Sequence, residues 1–231
     1  MRWLCLLLPL TLSAIEYAPW LDPILYFKGK VNASYEGGRS VDLFRDEASL
    51  RVTPWTDLRA EFEIDFFKSR RYSYCLEALK LSGQYRVLND VTGDPISLLG
   101  AATFILPTTR AKRERALFYP GAMEYEFHLS IGKSWEEDEI YLDLAYGLAN
   151  EHAPWWRTHA QLDHRFCSCD RVSIYAKTIT GASVRTAEFG AIYKYFLDYG
   201  ALSLTLARRP IAHHFPRATI ITLEYETPIA F

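Results

Sequence analysis

The feature that most constrains this chain is a two-residue rhythm of apolar and charged side chains. Over residues 58–66, Ala60, Phe62, Ile64 and Phe66 fall on one side of an extended backbone, and Arg59, Glu61, Glu63 and Asp65 fall on the other. Residues 140–148 alternate in the same way, with Ile140, Leu142, Leu144, Tyr146 and Leu148 opposite Tyr141, Asp143, Ala145 and Gly147. A helix would scatter both sets around its circumference, whereas a strand segregates them. Candidate strands fall near 25–35, 44–53, 58–67, 74–87, 96–106, 122–135, 139–149, 156–166, 172–180, 186–196, 201–209 and 217–231. They recur about every 17 residues, a spacing that suits membrane-crossing strands of roughly 9 to 11 residues and their connections.

Composition closes off the alternatives. With 49% hydrophobic and 23% charged residues the chain is too apolar for intrinsic disorder. Lys and Arg number 26 against 28 Asp and Glu, a net charge of −2, so no basic surplus points to nucleic acid. No apolar run outside the first residues approaches the roughly 18 residues that a spanning helix needs. Residues 1–14 read as a cleaved secretory signal: Arg2 supplies the positive start, 3–12 the apolar stretch and 11–14 the small-residue exit. Residues 15–231 then form one domain.

Where the charges sit separates a membrane barrel from a soluble sandwich. The polar phases carry Lys28 and Lys30; Arg45, Glu47 and Arg51; Arg59, Glu61, Glu63 and Asp65; Lys80 and Arg86; Glu124, Glu126 and His128; Asp143; Arg157, His159, Asp163 and Arg165; Lys177; Glu188 and Lys194; and Glu224 and Glu226. Closing the sheet sets Lys28 and Lys30 beside Glu224 and Glu226, where opposite charges pair across strands. An all-β, closed antiparallel transmembrane β-barrel of about twelve strands with an aqueous interior follows. The expected pore-lining residues are Lys28, Lys30, Arg51, Arg59, Glu61, Glu63, Lys80, Glu126, Asp143, Arg157, Asp163, Lys177, Lys194 and Glu224. Connections alternate short and long, the longest being 107–121 with its basic run Arg110, Lys112, Arg113 and Arg115, which is placed to meet lipopolysaccharide phosphates or solvent. Trp55, Trp135, Tyr199 and Phe231 fall at one set of strand ends, and Tyr35, Phe67, Tyr72, Tyr74, Phe118, Tyr119, Trp155 and Trp156 at the other, as interfacial girdles require.

Every second residue back from Phe231 is Ile229, Thr227, Tyr225, Leu223 and Ile221. This strand resembles the terminal β-signal of Gram-negative outer-membrane barrels. The resemblance implies an outer-membrane location, recognition by the barrel-assembly machinery through Tyr225, Ile229 and Phe231, and contact with the bilayer. The stretch Leu106, Pro107, Thr108 is similar to one in putative outer-membrane transporters, and it implies passage of small solutes.

Two other readings stay open. Glu126, His128, Ser130 and Gly132 are spaced like the His-x-Ser-x-Gly motif of outer-membrane phospholipase A, and more loosely that of the lipid A deacylase barrels. That resemblance implies lipid hydrolysis by His128 and Ser130 with Asp143 as orienter, although Ile131 replaces the family's Asn and the phase directs both side chains inward. The other reading is a structural envelope barrel. Cys5 leaves with the leader, so Cys75, Cys167 and Cys169 remain. An odd number of thiols, with Cys167 and Cys169 too tight for an easy bridge and Cys75 at the opposite end, points to cross-links with other chains or to free thiols. His213 and His214 adjoin without a third ligand, so neither a metal nor a cofactor is expected.

Overall fold

The computed structural model describes residues 26–38, 42–113, 119, 121–150, 152–182, 184–213 and 217–228. The leader segment, Phe118, Ile229 and Phe231 lie outside these. Twelve strands run in order: β1 (Tyr26–Gly37), β2 (Asp42–Trp55), β3 (Leu58–Ser69), β4 (Cys75–Leu88), β5 (Ser97–Pro107), β6 (Glu124–Ser134), β7 (Asp138–Ala149), β8 (Trp155–Arg165), β9 (Asp170–Gly181), β10 (Val184–Leu197), β11 (Gly200–His213) and β12 (Ala218–Pro228). Each pairs antiparallel with its sequence neighbours, and β1 pairs with β12, so the sheet closes and leaves no edge. The seam register sets Lys30 opposite Glu226 and Asn32 opposite Glu224.

Alternation decides which face is which. Leu50, Phe62, Leu81, Leu129, Leu142, Leu204 and Leu223 are exposed on the outside, while Lys30, Arg51, Arg59, Glu61, Glu63, Glu126 and Asp143 are buried within the ring. An apolar outside around a charged inside inverts a water-soluble domain, and it suits a strand wall whose outer solvent is hydrocarbon.

The connections at one end are short: 56–57, 135–137, 166–169 and 198–199. The longer one there, 89–96, is a compact turn. Asn89 Oδ1 accepts the Val91 N–H at 3.3 Å, and Asp90 Oδ2 accepts the Ser134 N–H at 2.6 Å, tying it to β6. At the other end, the connection between β5 and β6 holds a short helix, α1 (Thr109–Arg113). Ala111 of that helix is fully buried, in one cluster with the inward-facing Leu43, Phe67, Cys75, Ala207, Ala218 and Ile220. The basic run therefore does not simply project into solvent, because its first part folds into the mouth of the barrel.

Aromatic placement needs one correction. Trp55, Trp135 and Tyr199 are exposed at the short-loop end, and Tyr74 and Trp156 at the other, but Phe67 and Trp155 are completely buried on the inner face. Trp155 lies across Gly147 of β7, its partner in register. A Cβ at Gly147 would come within 2.0 Å of the indole, so only glycine admits the ring there.

Candidate functional site

The interior is built from cross-strand ion pairs because each inward position meets inward neighbours on the adjacent strands. On the wall of β1 to β4, Arg51 Nε and Nη2 bind the two oxygens of Glu61 at 3.1 and 3.3 Å, and Ser49 donates to the same carboxylate at 3.1 Å. Arg59 donates to Gln84 Oε1 at 3.1 Å, and Lys80 bridges Glu63 and, at 2.7 Å, Asp65. Lys30 closes the seam, 3.1 Å from Glu224 and 3.7 Å from Glu47. Among the described residues this wall is occupied by ion-paired side chains.

A belt of alternating charge crosses the long-loop half. Glu77 pairs with Arg45 at 3.0 Å, Arg45 with Glu36 at 3.4 Å, Glu36 with Arg209 at 2.9 Å, and Arg209 with Glu188 at 3.0 Å; Tyr175 then donates to Glu188 at 3.1 Å. Tyr119, beyond α1, donates its hydroxyl to Glu77 at 2.7 Å and so fastens the folded connection to the belt.

Three charged belt members lay outside the inner set expected from the sequence, each for a local reason. Glu36 falls beyond the expected end of β1. Glu77 has the wrong parity for Lys80, but an irregularity in the pairing of β3 with β4 moves the phase there: Asp65 faces Ala78 and Phe66 faces Leu76. Arg209 precedes Pro210, which marks the end of a strand when read alone. The ladder instead shifts between Ala187 and Phe189, which pair with Ile211 and Arg208, so Arg209 and Pro210 oppose a single residue, and a proline without an N–H is tolerated in such a bulge.

Free space lies against the opposite wall. A cavity of about 170 Å³ is lined by side chains of β7 to β12 together with Lys30 of β1. Among its charged residues, Lys30 is held by Glu224, Lys194 by Glu226 at 2.9 Å, and Arg171 by Glu139 at 2.8 Å. Lys177 differs from these. It sits opposite Glu188 in register, yet Glu188 is taken by Arg209 and Tyr175, and Lys177 forms no ion pair among the described residues.

The expected pore-lining residues thus divide by position. Lys30, Asp163, Lys177, Lys194 and Glu224 line the cavity. Arg51, Arg59, Glu61, Glu63 and Lys80 pack the ion-paired wall. Glu126 and Arg157 pair at 2.8 Å beside Trp155, whose indole N–H also donates to Glu126 at 3.1 Å. Lys28 stands in register with Arg51 and Pro228, and its side chain lies outside the description. Tyr225 faces outward, with its hydroxyl donating to the Tyr199 carbonyl at 3.3 Å.

His128, Ser130 and Asp143 do converge, on the inner face. His128 Nδ1 is 2.9 Å from Asp143 Oδ2, and the Ser130 hydroxyl donates to Asp143 Oδ1 at 2.6 Å. The serine is therefore bound to the carboxylate rather than to the imidazole that would have to take its proton. Cys75 is buried near the long-loop end, where Arg110 donates to its sulfur at 3.3 Å; Cys167 and Cys169 lie at the other end.

No family model matches the chain, and no curated protein matches it in sequence. Solved structures do match. The COG4313 outer membrane channel from Pseudomonas putida F1 superimposes with a TM-score of 0.72 at 12% identity, covering 94% of this chain and all of that one. A KdgM porin aligns with a TM-score of 0.66 at 7% identity over 88% of this chain and 99% of its own. A KdgM porin in complex with disordered oligogalacturonate gives 0.64 at 7%, over 89% and 99%. What these share with this chain is the closed antiparallel barrel.

Proposed function

We propose that this chain is an outer-membrane β-barrel channel for small polar solutes, secreted behind a leader removed near Ala14 and inserted through a C-terminal strand that includes Tyr225, Ile229 and Phe231. The observation that carries the reading is the combination of an apolar outer wall with a charged interior whose free space sits beside β7 to β12. A solute there meets Lys177, whose register partner Glu188 is bonded to Arg209 and Tyr175 instead, so anions are favoured over cations of similar size. The barrels it superimposes on include a channel and porins, which agrees with this reading. Lipid hydrolysis draws no comparable support, since Ser130 faces the interior on a carboxylate.

The test is single-channel recording of the refolded chain in planar bilayers under a salt gradient. Discrete conductance steps with a reversal potential on the anion side are expected, and Lys177→Glu moves that potential toward the cation side. The shift is larger near 0.1 M salt, where the screening length is about 10 Å, than at 1 M, where it is about 3 Å. Inserted protein that passes no current would overturn the proposal.

A further inference from the structure

The turn between β8 and β9 gathers three metal-ligating side chains at the short-loop end, away from the cavity. Its backbone is fixed on both sides: the Phe166 N–H donates to the Asp170 carbonyl at 3.2 Å, and the Phe196 N–H of β10 to the Cys169 carbonyl at 2.8 Å. Within this frame the sulfurs of Cys167 and Cys169 lie 2.6 Å apart, and the Cys169 N–H points at the Cys167 sulfur at 3.3 Å. Asp170 turns Oδ2 toward them, 3.4 Å from Cys167 Sγ and 3.8 Å from Cys169 Sγ. Its other oxygen is held by the Tyr193 hydroxyl at 2.6 Å.

We propose that Cys167, Cys169 and Asp170 bind one thiophilic divalent cation of the Zn²⁺ class. Two thiolates two residues apart chelate from a single turn, and the backbone N–H of Cys169 holds the Cys167 sulfur in place beside its partner. Tyr193 orients the carboxylate from outside the ligand set, as ligands to metals are commonly oriented. Cys167 is exposed, which leaves a fourth position for water. With Zn–S bonds of about 2.3 Å in a tetrahedron the two sulfurs open to about 3.8 Å, a side-chain rotation that an exposed turn permits. Each ion that binds displaces the two thiol protons and leaves the metal bonded to two thiolates and one carboxylate. The other close group of possible ligands among the described residues, Glu47, Glu63 and Asp65, already meets Lys30 and Lys80 and offers no sulfur.

The experiment uses the full chain in detergent, kept reduced with a phosphine. Cd²⁺ serves as the optical probe through its ultraviolet thiolate-to-metal absorption, and Zn²⁺ as the calorimetric one. The expected result is one ion per chain with release of about two protons at neutral pH. Cys167→Ser and Cys169→Ser each abolish the absorption, Cys75→Ser leaves it intact, and Asp170→Asn keeps it while weakening affinity about tenfold. Heat-modifiable migration on gels confirms that each variant is folded. Absence of the absorption in the reduced parent, its survival in Cys167→Ser, or thiols that stay oxidised under phosphine would overturn the site. Channel current is read separately, so failure of this site leaves the conductance reading untouched.

Discussion

Lys30 of β1 and Glu224 of β12 meet at 3.1 Å across the seam that closes the barrel, and Glu47 of β2 stands on the other side of the same ammonium at 3.7 Å. One cation thereby compensates carboxylates from both flanking strands. Lys30→Met removes the ammonium that both acids share, and removing one member of a buried ionic group costs about 3 kcal/mol. Urea unfolding of the refolded barrel is expected to show a loss of that order. The exchange Lys30→Glu with Glu224→Lys restores part of it, because the pair is re-formed in reverse.

Leu129 lies at the middle of β6 and is 56% exposed on the outer face. If hydrocarbon is its solvent, Leu129→Arg destabilises the inserted barrel by about 2 to 4 kcal/mol. A water-facing leucine would accept arginine at almost no cost. Folding titrations into lipid vesicles separate the two outcomes, with Lys68→Arg at the end of β3 as the neutral control.

Ala111 is wholly buried where α1 enters the mouth. Ala111→Trp overfills that position, at a cost of about 1 to 3 kcal/mol if the helix stays in place. Displacing α1 from the mouth relieves that strain, so the conductance of the proposed channel is expected to rise. Tyr119→Phe, which removes the hydroxyl bonded to Glu77, shifts conductance in the same direction by a smaller amount.

The sulfur of Cys167 holds the Cys169 thiol up at about 11, so Cys169 is protonated at neutral pH in the metal-free protein. Its thiolate fraction increases about tenfold per pH unit below that value. Alkylation of Cys169, followed by mass spectrometry, is expected to keep accelerating past pH 9 or so, where an ordinary thiol of pKa about 8.5 has levelled off. Cys167→Ala returns the profile to the ordinary range.

Strand number and facing were legible because one physical rule, period two against two different solvents, acts on every segment. Residues 58–66 state it without interference, and β3 follows. Legibility failed where geometry broke the period. The irregularity at Ala78 hid Glu77, and the bulge at Pro210 hid Arg209. The helix in the mouth was invisible for another reason: Arg110, Lys112 and Arg113 state a solvated loop, and the only sign of burial is a single methyl group, that of Ala111. The sulfur pair was seen in sequence and Asp170 adjoins it there, but Tyr193 joins it only through the pairing of β9 with β10.

Among the described residues, salt-bridged side chains of β2 to β4 pack one side of the interior and the cavity lies against β7 to β12 on the other. The two halves consequently answer to different pressures. One is a strut, where replacing a pair such as Arg51 and Glu61 by other matched partners preserves rigidity. The other borders the cavity, and on the channel reading proposed above it is there that one exchanged side chain changes what passes without loosening the ring.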